Sequence, residues 1–114
     1  QRLVRTICKD CRDSYEPNEA ILNQLDLSAH ELGDKHFYTG RGCDICSQSG
    51  LRGRRGLFEL LNVSDPIREM ITDRAPTVAL KQKAIELGMT TLREDGLRNI
   101  YEGTTTIEEV LKYT

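Results

Sequence analysis

The chain has 114 residues and a formal net charge of -2, which excludes a protein that coats nucleic acid by bulk attraction. Hydrophobic residues make up 38% and aromatic residues 5%, with no Trp, so one ordinary domain or two very small ones can form, around a thin core. No apolar run approaches the roughly 20 residues that cross a bilayer, and no signal-like segment is present, which predicts a chain without direct membrane insertion, made in a reducing compartment.

Residues 1–7 read as the last turns of a helix, with Leu3, Val4 and Ile7 apolar. They carry no N-terminal cap, which suggests a cut from a longer protein. Next comes Cys8-Lys9-Asp10-Cys11. Pro17 suits a first helical turn, followed by Ala20, Ile21, Leu22 and Leu25 on one face. Ser28-Ala-His-Glu31 resembles a capping box that opens a short turn closed by Gly33. Phe37-Tyr38 suggests a short strand before Cys43-Asp44-Ile45-Cys46, and the glycine-bounded turn at 53–56 feeds a second strand through Leu61.

The remainder is helical in pattern. Ser64-Asp65-Pro66 starts a helix through about Asp73, and Pro76 before Thr77 starts another that Gly88 ends. Thr91-Leu-Arg-Glu94 and Thr106-Ile-Glu-Glu109 are capping boxes for two more, the first closed by Gly103. The expected fold is therefore α+β, mainly α. A zinc-knuckle subdomain with short strands occupies residues 1–62, and a small four-helix cap occupies residues 63–114.

The two Cys-x-x-Cys pairs use all four cysteines, with 31 residues between the pairs. A two-residue gap lets a tight turn aim both thiolates at one point, and two such knuckles complete a tetrahedral shell. Cys8, Cys11, Cys43 and Cys46 are thus candidate ligands of a structural Zn²⁺. Such a site contributes on the order of 10–16 kcal/mol in small peptides, enough to hold a loop-rich half together. Two disulfides, four unrelated thiols and a redox switch are the alternatives. A closed shell of four thiolates leaves no position for water, which argues against a catalytic zinc. His30 and His36 read as solvent-facing rather than as ligands.

Residues 1–62 carry nine Lys/Arg against nine Asp/Glu, and residues 63–114 carry seven against nine. Four thiolates and one zinc would add two negative charges to the first half. Arg41, Arg52, Arg54 and Arg55 gather around the second knuckle. They suit either a phosphate or acidic partner, or compensation of the metal centre's charge. Strand alternation places Leu57, Glu59 and Leu61 on one face, and a carboxylate among leucines predicts an Arg–Glu59 ion pair between halves or subunits. Met89, Leu92, Leu97 and Ile100 read as core. Asp95 reads as a cap, a specific contact or a solvated helix acid, and Glu108-Glu109 as a first-turn acidic pair favoured by the helix dipole.

Five segments then carry a resemblance in one order: residues 1–8, the paired cysteines, Gly53-Arg-Arg-Gly-Leu-Phe-Glu-Leu-Leu61, Gly88-Met-Thr-Thr-Leu-Arg-Glu-Asp-Gly96 and Thr104-Thr-Thr-Ile-Glu-Glu-Val-Leu111. Together the chain resembles the C-terminal region of the type II secretion and type IV pilus assembly ATPases, including their tetracysteine metal-binding insertion. The resemblance singles out Arg54 in the Gly-Arg step, with an expected structural or intersubunit role, and Asp95 in the Asp-Gly step. No Gly-x-x-x-x-Gly-Lys-Ser/Thr phosphate loop occurs. ATP and Mg²⁺ are accordingly expected only in a parent hexamer, and this chain is not expected to be an enzyme. The implied partners are the ATPase core, neighbouring subunits, an inner-membrane platform protein and a cytoplasmic recruiting protein, at the cytoplasmic face of the inner membrane. A zinc-ribbon nucleic-acid binder is the rival, against which stand the acidic balance and scarce aromatics.

Overall fold

A computed structural model describes residues 1–27, 33 and 35–114. Along these run β1 (Arg2–Ile7), β2 (Arg12–Tyr15), α1 (Glu19–Gln24), β3 (Phe37–Gly40), β4 (Leu51–Leu57), α2 (Asp65–Thr72), α3 (Thr77–Glu86), α4 (Leu92–Tyr101) and α5 (Ile107–Tyr113). The fold is α+β. The expected capping box at Ser28–Glu31 and the expectation for His30 lie outside the described residues, while His36 is exposed.

The strands form two antiparallel pairs, β1 with β4 and β2 with β3. The helix expected over residues 1–7 is therefore a strand. Val4 and Ile7 are both buried, and their three-residue spacing imitates a helical face. The imitation arises because different neighbours cover them. Val4 belongs to the main core cluster, whereas Ile7 sits next to buried Cys8 and donates its N–H to the Thr104 carbonyl at 2.9 Å. Leu3, the third apolar residue, is exposed.

The second strand also differs from expectation. Its ladder ends at the pair Arg2↔Leu57, so the alternation expected through Leu61 does not exist. Leu57 is buried, while Phe58, Leu60 and Leu61 are exposed. The chain leaves the sheet because the Phe58 N–H turns to the Asp95 carboxylate at 2.9 Å. Helix α1 begins one residue after Asn18, whose side chain accepts the Ile21 N–H. That cap, rather than Pro17, sets its start. Only Leu22 within α1 is buried, joined by Leu25 at its end.

One core joins sequence-distant elements. Val4, Leu22, Leu25, Phe37, Leu57, Ile100, Ile107 and Val110 form a single buried cluster, each large side chain contributing roughly 1.5–3 kcal/mol by leaving water. Phe37 anchors it, edge-on to Tyr15 and tilted against Tyr101 at ring separations of 6.3 and 5.9 Å. Ile100 is fully buried, Leu92 and Leu97 pack against the cluster, and Met89 is half-buried. Gly96 lets α4 approach α5, since a Cβ there would lie 2.5 Å from Val110 Cγ1.

The four C-terminal helices pack in pairs, α2 with α3 and α4 with α5. The molecule is elongated, 55 × 31 × 18 Å with a radius of gyration of 17.0 Å, against about 13 Å for a compact chain of this length.

Candidate metal centre

The ends of both strand pairs converge on the cysteines. Strand β1 runs into Cys8 and β2 starts just after Cys11, while Cys43 and Cys46 occupy the turns joining β3 to β4. The four Sγ atoms lie within 4.8 Å of one another. Cys8–Cys43 and Cys11–Cys46 are each 3.8 Å apart and Cys43–Cys46 is 3.6 Å. A tetrahedron with metal–sulfur arms of about 2.3 Å has edges of about 3.8 Å. Three of the six separations thus match the edges of a four-coordinate thiolate shell, and they are far too long for a disulfide. All four cysteines are free.

Local backbone geometry builds this arrangement. Gly42 takes φ 97° and Gly50 φ 76°, and the second knuckle turns through left-handed Ser47 and Gln48. These turns aim N–H groups at sulfur. Gly42 donates to Cys11 Sγ at 3.4 Å, while Cys43 and Gly50 donate to Cys46 Sγ at 3.3 and 3.2 Å. The two knuckles are also tied by backbone, with the Cys8 N–H on the Gly50 carbonyl and the Arg41 N–H on the Cys11 carbonyl.

Electrostatics within the cluster are uneven. Burial pushes the Cys46 thiol up, but N–H donors from Cys43 and Gly50 and the sulfurs of Cys43 and Cys11 outweigh it, bringing it to about 6. Burial drives Cys11 up to about 11, opposed by the Gly42 N–H and reinforced by the neighbouring sulfurs. At Cys43 the Cys46 N–H favours the thiolate, yet burial and the sulfurs of Cys46 and Cys8 leave it raised. Sulfurs this close cannot all ionise unless a cation neutralises them. The donor set fits a thiophilic divalent metal.

The other expected site residues separate from this centre. Arg54 and Arg55 are exposed on β4, opposite Arg5 and Val4 respectively. Arg41 pairs with Asp13 at 3.2 Å on the surface. Within the chain, Glu59 has no arginine partner among the described residues. Its carboxylate instead accepts the Leu92 N–H at 2.9 Å, satisfying an orphan donor at the start of α4. Asp95 is buried, accepting the Phe58 N–H on Oδ2 and Arg98 on Oδ1 at 2.7 Å. Burial opposes its ionisation, yet Arg98, the Phe58 N–H and the field of Arg55 hold its pKa below the ordinary value. Glu59 and Asp95 together fasten the segment after β4 to α4.

Sequence reasoning missed the pair Arg5–Glu109. Glu109 is 3% exposed and accepts the Arg5 backbone N–H at 2.8 Å and its guanidinium at 2.7 and 3.0 Å. Thr106 does cap Glu109 N–H as the capping box predicts, but the carboxylate turns to β1 across 104 residues of chain. The Thr105 hydroxyl adds a bond to the Arg5 carbonyl at 2.7 Å. Only the Thr-x-x-Glu spacing was legible, and it names a helix start without naming a partner.

Among the described residues no helix is long and apolar enough to cross a membrane. Residues 1–112 match the family described as Type II/IV secretion system protein. The whole chain is 42% identical to a type IV pilus assembly ATPase PilB of Thermus thermophilus, covering 13% of that protein. It is 38% identical to a type II secretion system ATPase E of Vibrio cholerae and 37% identical to a type II secretion system protein E of Pseudomonas aeruginosa, covering 22% of each. The chain thus spans less than a quarter of the length of these relatives. It belongs to the type II/IV secretion system protein family.

Proposed function

We propose that this chain is a non-catalytic, C-terminal accessory region of a hexameric secretion or pilus-assembly ATPase, stabilised by structural Zn²⁺ on Cys8, Cys11, Cys43 and Cys46. The observation that carries the reading is the convergence of four sulfurs within 4.8 Å, three of their separations being 3.6–3.8 Å, in a chain whose relatives are named as ATPases. The sequence has no phosphate-binding loop, so ATP and Mg²⁺ belong to the remainder of the parent. Residues 1–62 act as a zinc subdomain and residues 63–114 as a helical cap, sharing one core. Their work is mechanical. A closed thiolate shell resists deformation where a loop would absorb it, so motion of the ATPase core reaches neighbouring subunits, the inner-membrane platform protein and the cytoplasmic recruiting protein. The place of action is the cytoplasmic face of the inner membrane.

The test joins elemental mass spectrometry to thiol titration on protein purified under reducing conditions. One zinc per chain is expected, with thiols reactive only after chelation and with loss of the β1–β4 pairing in the same step. Cys8→Ser with Cys43→Ser in the full-length parent is expected to abolish secretion or pilus assembly. Four free thiols without metal, or intact assembly in the double variant, would sink the proposal.

A further inference from the structure

Beside the first knuckle lies a groove of about 830 Å³ whose wall holds Lys9, Arg12, Arg52, Arg54 and Arg55. Asp10 is the one carboxylate in its lining among the described residues. Arg12 is engaged, donating to the Gly103 carbonyl and lying over the Tyr38 ring. Lys9, Arg52, Arg54 and Arg55 form no ion pair among the described residues, whose six salt bridges involve other cations. Arg55 already acts on the Asp95 carboxylate, while Lys9, Arg52 and Arg54 add further positive charge to the same lining, which favours an anionic occupant there.

We propose that this groove binds a soluble oligophosphate, such as the phosphate tail of a nucleotide, separate from any phosphate-loop site in the parent. Its size lies within the roughly 300–1,000 Å³ of small-ligand sites. Guanidinium forks match paired phosphate oxygens. The lining also excludes larger occupants. Among the described residues Ile7 is its single aliphatic side chain and none in the lining is aromatic, whereas protein partners need apolar or aromatic anchors and single-stranded nucleic acid needs stacking faces. The walls come from β1, the first knuckle, β4 and the turn between α4 and α5. Gly53, at φ 89°, marks the shift in the β1–β4 register, and the Thr6 hydroxyl donates to the Arg52 carbonyl there. That bond fixes the floor between the two arginine-bearing stretches of β4.

The probe is inorganic tripolyphosphate titrated into the metal-loaded chain, followed by calorimetry and amide chemical shifts. Saturable one-to-one binding is expected, with shifts confined to Thr6–Arg12, Arg52–Arg55 and Gly103–Thr104. Arg54→Gln with Arg55→Gln is expected to weaken binding by at least about tenfold, and Arg74→Gln, on the exposed turn after α2, to leave it unchanged. Equal weakening by both variants would reduce the effect to bulk attraction and overturn the proposal. So would binding to phosphatidylglycerol vesicles or to an acidic peptide without affinity for tripolyphosphate. If the double variant instead sheds metal while keeping its tripolyphosphate affinity, the arginines serve the thiolate centre and the proposal fails.

Discussion

Helix pairs α2–α3 and α4–α5 come from similar sequence signals and end up in opposite situations. Both pairs begin at Ser, Thr or Pro starts and stop at left-handed residues, Arg74 and Gly88 in the first pair and Gly103 in the second. Yet α4 and α5 bury Ile100, Ile107 and Val110 in the shared core, while α2 and α3 bury only Ile67 and Ala84. The exposed apolar side chains Ile71, Val78, Ile85 and Leu87 belong to that first pair and its end, with Phe58, Leu60, Leu61 and Val63 leading into it. The lesson is that capping signals locate helices but do not say what they pack on.

The largest effect that sharpens this contrast comes from equal truncations in the two pairs. Ile100→Ala opens a cavity in the shared core and is expected to cost about 2–5 kcal/mol, seen as loss of global stability in urea. Ile67→Ala, at an equally buried position, removes the same atoms from a satellite contact. Its effect is expected mainly in the hydrogen exchange of α2 and α3, with slow amides of β1 and α5 unchanged. Equal global losses from both variants would mean that the pairs unfold together.

A middle-sized effect tests what fastens α5 to the sheet. The pKa of Glu109 is lowered: burial opposes ionisation, and the Arg5 side chain and backbone N–H outweigh it. A carboxyl with a depressed folded-state pKa adds stability that is present above its unfolded value and disappears as pH falls through the folded one. Stability is therefore expected to decline below the ordinary glutamate range of about 4.3, and Glu109→Gln to flatten that slope. Because the Arg5 side chain is 56% exposed, solvent screening keeps the contribution of the ion pair modest. An unchanged acid limb in Glu109→Gln would assign it to other carboxylates, Asp95 first, whose pKa is also lowered.

These residues show how far the sequence could be read. The clustering of the cysteines was legible because a Cys-x-x-Cys turn brings its two sulfurs together locally, and the four C-terminal helices because Thr91, Thr106 and the terminal glycines act within one turn. Strand β1 was not, since Val4 and Ile7 imitate a helical face when separate neighbours cover them. Strand β2 carried no alternation to find, because its residues Arg12–Tyr15 are largely exposed and are held by pairing with β3. The Arg5–Glu109 pair and the turn of Glu59 toward Leu92 depend on tertiary approach. Nothing within several residues of either acid encodes the distant group that it meets.

The smallest effect probes the outer face of α3. Val78 is 72% exposed, so Val78→Ser in the isolated chain is expected to change stability by no more than about 0.5 kcal/mol, within the scatter of a thermal melt. A larger loss would show that this face is packed by the chain itself. Elsewhere on this pair a cleft of about 330 Å³ is lined by Leu60, Leu61, Ala84, Leu87 and Met89, so three of the exposed apolar side chains, Leu60, Leu61 and Leu87, border one recess. If the chain works as proposed, the same substitution in the full-length protein is expected to lower secretion or pilus assembly, because an apolar face that costs nothing to change in isolation matters only when another surface covers it. Equal tolerance in the full-length protein would leave α2–α3 as a free projection, and the proposed coupling role would then rest on α4–α5 and the four-cysteine cluster alone.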